Sequence, residues 1–174
     1  MKLLNTLRRF LVPAPVVTAV YLFKNKCKIS HKAEVELNAL LKIGRGTVVS
    51  SFSKIKANGP RNIGENVSIG TGCFISSDAG GVNIGKYSMI GSNASIIGNN
   101  YQYDDLEAPI CLQQKTSKGI NIADNVWIGS GCSILDGATI GKGAIITPNS
   151  VVSGKIPENA IAQGNPAKVI FTRR

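Results

Sequence analysis

Few side chains in this sequence can hold a metal or move a proton near neutral pH. The chain has one histidine, His31, and four cysteines, Cys27, Cys73, Cys111 and Cys132. No CxxC pair occurs, so no metal site is expected. His31 stands between Lys28 and Lys32 and reads as a surface residue. The run Tyr101-Gln102-Tyr103-Asp104-Asp105 gathers phenols and carboxylates. A phenol, with a reference pKa of about 10, is a poor base at neutral pH. An aspartate can accept a proton when desolvated, but more often it caps a turn. Twenty Lys and Arg face ten acids, a net charge of +10, which attracts phosphates of some kind.

The charge is unevenly spread. Residues 1–47 hold nine Lys/Arg and two acids, whereas residues 48–174 hold eleven and eight. The basic excess therefore belongs to the N-terminal segment. No aromatic-basic interleaving accompanies it, and nucleic acid is not expected as a partner. At 174 residues the chain suits one domain, or one domain with a short appendage. Its 19 glycines and 6% aromatic residues favour many tight turns over a large aromatic core.

The elements that must position these groups follow from a repeat. Ile122, Ile128, Ile134, Ile140, Ile146 and Val152 are spaced by six. Ile63, Ile69 and Ile75 repeat the spacing, as do Ile84, Ile90 and Ile96, and more faintly Ile43, Val49 and Ile55. Four residues after each stands a small or modest residue, such as Val67, Cys73, Ala79, Ser88, Ala94, Val126, Cys132, Ala138, Ala144 or Ser150. A period of six fits neither a helix nor a simple alternating strand. It fits a triangular prism, an all-β solenoid in which three hexapeptides make one 18-residue coil. The branched residue points inward and stacks on its equivalents ~4.8 Å away. Gly and Asn supply the unusual backbone angles of the corners. Cys73 and Cys132 fall on the small-residue position and read as buried free thiols.

About five coils are counted, covering residues 43–157. The stretch 102–119 leaves the prism as a protruding loop, and long loops on a compact scaffold are usually functional. Residues 1–42 form a basic N-terminal segment, and residues 158–174 a tail. Within 1–12, Leu3, Leu4, Leu7, Phe10 and Leu11 share one helical stripe, with Lys2, Arg8 and Arg9 off it. Pro13 is expected to end that short helix. It would either meet an anionic membrane surface or pack on the first coil. The apolar run 11–23 is shorter than the ~20 residues of a membrane span, and no secretion signal is evident. A cytoplasmic setting is expected, peripheral at the inner membrane if the helix binds there.

The repeat, together with Asn125-Val126-Trp127-Ile128-Gly129, Ile140-Gly141-Lys142-Gly143-Ala144 and Gly164-Asn165-Pro166-Ala167-Lys168-Val169-Ile170, resembles the hexapeptide-repeat acyltransferases. That resemblance implies a left-handed parallel β-helix, against the usual right-handed crossover rule. It is similar in particular to sugar O-acetyltransferases of capsule, O-antigen and exopolysaccharide biosynthesis. It implies a homotrimer, a carbohydrate acceptor, and acetyl-CoA as donor, bound in a cleft between two prisms. Trp127 matches the position beside the pantetheine arm. Ser130 and Gly131 match positions near the thiol end, and Ser153 and Lys168 positions that contact the distal part of the cofactor. Lys142 and Arg173 are candidate phosphate partners by location alone. Departures occur at Gly154, where a basic residue is common, and at Phe171, where another often follows Ile170.

A larger departure concerns the base. Acetyl transfer to a sugar hydroxyl needs a group that takes the hydroxyl proton, and histidine suits this near neutrality. Relatives carry it as His-x-Tyr-x-Asp, where this chain has Tyr101-Gln102-Tyr103-Asp104. His31 lies about four coils from Trp127, or ~19 Å, too far to substitute. Tyr101 and Asp104 are the remaining catalytic candidates. The expected function is an acetyl-CoA-dependent sugar O-acetyltransferase with the usual histidine replaced by Tyr101. The alternative is a non-catalytic or weakly active trimeric homologue.

Overall fold

A branched residue at every sixth position turns one apolar side chain inward per strand, and neighbouring turns then stack those side chains into one column per face. A computed structural model, which describes residues 12–56 and 58–174, has this arrangement. The first face holds Lys28–Ile29, Val48–Val49, Ser68–Ile69, Met89–Ile90, Trp127–Ile128, Ile145–Ile146 and Ala160–Gly164 in parallel order. The second holds Glu34–Val35, Lys54–Ile55, Phe74–Ser77, Ser95–Gly98, Ser133–Leu135 and Val151–Val152. The third holds Leu41–Ile43, Arg61–Ile63, Val82–Ile84, Ile120–Ile122, Thr139–Ile140 and Lys155–Ile156. The fold is a left-handed parallel β-helix.

The ladder register aligns the inward residues directly: Ile90 opposes Ile69 and Ile128, and Ile96 opposes Ile75 and Ile134. All these isoleucines are buried. Each buried side chain contributes about 1.5–3 kcal/mol relative to exposure, so the column is the main stabilising feature. Cys27, Cys73 and Cys132 lie in the core, and each thiol donates to a backbone carbonyl, of Gly44, Gly91 and Thr147 respectively, at 3.1 Å. Burial pushes all three thiols up, partly offset by backbone hydrogen bonds. Cys111 is exposed.

Among the described residues the solenoid has six complete turns and the first side of a seventh, against the five counted from periodicity. The prism takes in residues 28–43, so the N-terminal segment is not wholly separate from it. The sequence hides the first turn because Ile29 and Val35 are followed by a two-residue slip before Ile43. That slip, and those before Ile63 and Ile84, all fall at the corner between the second and third faces. A corner can bulge outward without disturbing the ladders on either side. Ala79 lies in one such bulge and is exposed, unlike the other small residues of its series.

The corners also correct one expectation about glycine. Positive φ belongs to residues such as Gly131 (+70°) and Asn149 (+60°), which the sequence chemistry anticipates. The glycine directly after the inward residue serves another purpose. A Cβ on Gly129 would lie 2.5 Å from the Pro148 nitrogen of the next turn, so the approach of two backbones excludes it.

The amphipathic stretch read at 1–12 lies, apart from Val12, outside the described residues. Pro13 does not end a helix among the described residues but begins one, α1 (Ala14–Asn25). Pro13 and Pro15 occupy its start, where missing N–H groups cost no helical hydrogen bond. α1 lies over the first turn. Val17 and Tyr21 are buried, the Tyr21 hydroxyl donates to the Glu36 carbonyl at 3.2 Å, and Asn25 Nδ2 donates to the Ile43 carbonyl at 2.7 Å. Burial pushes the Tyr21 phenol up to about 12. At the other end, Ala167–Thr172 pairs antiparallel with Ala160–Gly164. Both ends of the solenoid are thereby capped against edge-to-edge pairing. No helix among the described residues is long and apolar enough to cross a membrane.

One core residue breaks the small-residue rule. Arg61 occupies an inward position and is fully buried. Its Nη1 donates to the Gly59 carbonyl at 2.7 Å and its Nη2 to the Ser77 carbonyl at 2.6 Å. Arg61 Nε and Ser77 Oγ have no partner among the described residues. Burial pushes the guanidinium down, and the charges of Glu36 and Asp78 offset part of that effect.

Candidate active site

Trp127 faces outward on the first face and is 47% exposed. Alternation forces this: Val126 and Ile128 point inward, so the residue between them points out. Its ladder neighbours are Met89 on one side and Ile145 on the other. Ser130 and Gly131 follow at the next corner, where the Gly131 N–H donates to the Ser92 carbonyl and the Ser130 carbonyl accepts from Asn149. Ser130 is exposed. Lys168 lies opposite Gln163 in the terminal antiparallel pair, also exposed and on the same sheet as Trp127. The first face and its flank thus carry Trp127, Ser130 and Gly131 close together, with Lys168 three strands farther along the same sheet.

Other candidates lie elsewhere. Ser153 is exposed at the corner between the second and third faces. Lys142 is exposed at the corner between the third and first faces. Backbone hydrogen bonds stack this corner in the order Arg45, Glu65, Lys86, Asp124, Lys142, Glu158. The signs alternate along the edge, so Lys142 has an acid on the turn below and another above. Its charge is compensated locally, which weakens its pull on a phosphate. Arg173 Nη1 donates to the Gly143 carbonyl at 3.0 Å, tying that side chain to the last turns. With Phe171, Thr172 and Arg174 it lines an open groove at the tail.

The protruding segment leaves after Gly98 and rejoins at Ile120, slightly earlier at its start than the sequence suggested. It is an ordered hairpin rather than an irregular loop. Asn100–Tyr101 pairs antiparallel with Lys115–Thr116, and Gln102 donates to the Gln114 carbonyl. Its base is pinned at several points. Asn99 Nδ2 donates to Asp78 Oδ2 at 2.9 Å, and Ser117 Oγ donates to the Gly98 carbonyl at 2.6 Å. The Asp136 carboxylate accepts from the N–H groups of Lys118 and Gly119. At the tip, the Asp105 carboxylate accepts from the N–H groups of Glu107 and Ala108, so it caps a turn. Asp104 is exposed. Tyr101 is exposed too, with Lys115 Nζ 4.8 Å from its ring centre, a cation–π contact that orients the ring.

The hairpin springs from the corner between the second and third faces. In a triangular section that corner lies opposite the first face, so Tyr101 and Asp104 do not meet Trp127 within one chain. His31 is exposed on the first turn, four ladder steps below Trp127 through Val48, Ser68 and Met89. At ~4.8 Å per step this is ~19 Å, the separation expected from the sequence. Among the described residues no three His, Cys, Asp or Glu side chains are grouped to hold a metal ion.

Residues 119–154 match the bacterial transferase hexapeptide (six repeats) family. The whole chain is similar to a probable acetyltransferase of Mycobacterium tuberculosis, 32% identical over 170 residues, covering 97% of this chain and 56% of that protein. It therefore spans about half the length of that relative. It is also similar to a putative lipopolysaccharide biosynthesis O-acetyl transferase of Escherichia coli, 29% identical over 144 residues, covering 67% of this chain and 74% of that one. Among solved structures, an N-acyltransferase from Bacillus cereus superposes with a TM-score of 0.77 at 19% identity, over 86% of this chain and 82% of that one. That likeness concerns the fold.

Proposed function

We propose that this chain, similar to the hexapeptide-repeat acyltransferases, is an acetyl-CoA-dependent O-acetyltransferase acting on a sugar hydroxyl in surface polysaccharide biosynthesis. The observation that carries this is the half-exposed Trp127 on the first face, flanked by Ser130 and Gly131, in the motif the family uses for its donor. The E. coli relative's name supports the acceptor class. In the reaction, the acceptor hydroxyl oxygen attacks the thioester carbonyl. A C–O bond forms, the C–S bond breaks, and the hydroxyl proton passes by way of a base to the departing CoA sulfur. Trp127 packs the pantetheine arm, Ser130 and Gly131 hold its thiol end, and Ser153 and Lys168 take the distal part. Because Tyr101 and Trp127 lie on opposite sides of one prism, a complete site needs the hairpin of one subunit beside the first face of another. A homotrimer with parallel prisms meets that need.

Calorimetric titration with acetyl-CoA and with CoA tests the reading. Saturable binding near one site per chain is expected. Trp127→Ala is expected to weaken it about tenfold, the worth of about 1.4 kcal/mol of aromatic packing. Absence of binding at millimolar cofactor would sink the transferase reading.

The same function would draw residues 1–12 to the anionic membrane surface where polysaccharide precursors reside. Flotation with anionic liposomes tests this, and equal flotation after deletion of residues 1–11 rules it out. A second reading, a weakly active or non-catalytic binding homologue, is favoured by Tyr101 standing where a histidine is expected.

A further inference from the structure

The edge that carries Ser130 and Gly131, the corner between the first and second faces, continues down the solenoid. The N–H groups of Phe52, Gly72, Asn93 and Gly131 donate in turn to the carbonyls of Lys32, Ser51, Thr71 and Ser92, so these four donors stack in one column. Three steps of ~4.8 Å put Phe52 ~14 Å below Gly131. On the second face beside this edge, Phe74 opposes Ser95, which opposes Ser133. Phe74 therefore lies two steps, ~10 Å, below Ser133.

Between these levels the edge is low and polar. Thr71, Ser92 and Ser95 offer hydroxyls, and Gly72 has no side chain. At the lower end stand two phenyl rings. Phe52 is 67% exposed, and Phe74 is partly buried. Two residues and one turn separate them, ~8 Å. Lys32 Nζ lies 5.8 Å from the centre of the Phe52 ring, and Lys56 Nζ 5.4 Å from that of Phe74. Such contacts hold the rings and place positive charge beside them. The stretches 47–56, 67–77, 88–98 and 126–135, which build this edge, contain no Asp or Glu. Glu34, on the turn below, pairs with Lys54 at 2.7 Å. Backbone strain singles out neither ring, since Phe52 shares its positive φ with Tyr87 at another corner. The place of Phe52 and the lysines around it are what set it apart.

The donor's distal part is assigned to later turns, at Ser153 and Lys168, so the edge below Ser130 is left for the other substrate. We propose that Phe52 and Phe74, backed by Lys32 and Lys56, form a remote subsite that grips an acidic saccharide chain while a ring farther along that chain reacts beside Ser130. The apolar C–H face of a sugar ring fits a phenyl ring, and carboxylates of the chain meet the ammonium groups. One sugar ring cannot span ~10–14 Å, so the subsite selects acceptors of several rings. This inference rests on the transferase reading.

The test uses the full chain and calorimetric binding of four probes: hexagalacturonate, a hyaluronate hexasaccharide, neutral maltohexaose and methyl α-galacturonoside. At least one acidic hexamer is expected to bind saturably, about tenfold more tightly than maltohexaose or the single sugar. Phe52→Asn removes the ring and supplies a residue suited to positive φ, so the fold is expected to be as heat-stable as wild type. It is expected to weaken the acidic hexamer about tenfold, with the CoA Kd within about twofold of wild type. Phe52→Tyr, which keeps the ring, is expected to bind the hexamer as wild type does. Lys32→Gln combined with Lys56→Gln is expected to erase the preference for acidic over neutral hexamer. The subsite is refuted if neither acidic hexamer binds, if the single sugar binds as tightly as the hexamers, or if Phe52→Asn changes nothing. It is refuted too if the double lysine variant weakens CoA instead, which would assign the cluster to the donor's phosphates. Wild type that binds CoA but no acidic hexamer loses the subsite and keeps the transferase reading. Wild type that binds an acidic hexamer through Phe52 but no CoA loses the transferase reading and keeps the saccharide site.

Discussion

Tyr101→His is expected to raise the rate of acetyl transfer to a glycoside by about 10²–10⁴-fold, the usual worth of a positioned general base. The setting favours the substitution. Tyr101 lies on a short strand paired with Lys115, and its exposed side chain extends from a hairpin whose base is pinned by Asp78, Ser117 and Asp136. Histidine fits a strand as well as tyrosine does, so the backbone need not change. Lys115 Nζ, now 4.8 Å from the ring centre, would disfavour the imidazolium form and keep the new imidazole neutral. A neutral imidazole is the form that accepts the hydroxyl proton. The pH profile of the variant is therefore expected to rise through the histidine range and level off near neutrality, which wild type lacks. Rates are read as thiol release from acetyl-CoA with and without glycoside. A variant that binds CoA like wild type but gains nothing would mean that Tyr101 is not at the reacting atoms, and would favour the non-catalytic reading.

Arg61→Ala is expected to lose about 3–5 kcal/mol of stability. Removing the guanidinium leaves the Gly59 and Ser77 carbonyls without their donors at a buried corner, and opens a cavity the size of the largest fully buried side chain. For a chain of this size the midpoint of thermal unfolding should fall by roughly 10 °C. Arg61→Met refills much of the volume without restoring the hydrogen bonds, so it separates the two contributions. A loss of less than about 1 kcal/mol in Arg61→Ala would mean that water reaches those carbonyls. The corner also matters to the site. The Ser77 carbonyl that Arg61 holds is followed by Asp78, which in turn accepts from Asn99 at the hairpin base. Loosening Arg61 is expected to loosen the segment that carries Tyr101.

The inward columns were legible because a solenoid imposes one local rule, a buried branched residue every sixth position, that holds regardless of what each turn stacks on. Ile63 through Val152 obey it, and the buried thiols Cys73 and Cys132 follow from the same register. Where chain length between faces varies, the rule loses its grip. The two-residue slip between Val35 and Ile43 hides the first turn, and Ala79, which keeps the spacing of the small residues, lies exposed in a corner bulge. α1 is not evident from the sequence because Pro13 and Pro15 read as helix breakers, whereas at the start of a helix proline is compatible. Arg61 falls in register at an inward position, yet nothing in its sequence neighbourhood says that two distant carbonyls would satisfy it.

The sequence by itself determined the prism, its inward residues and the outward direction of Trp127, because a strand of period two between two buried neighbours leaves no choice. Only the tertiary structure decided the relation among the candidate site residues. It put Trp127 and Tyr101 on opposite sides of the triangle, set Lys142 between Asp124 and Glu158, and placed Phe52 three turns below Gly131 on one edge. Those relations depend on which corner absorbs each inserted residue and on which side chains stack a full turn apart. Stacking neighbours are some 16 to 38 residues apart along the chain, a separation that local spacing does not encode.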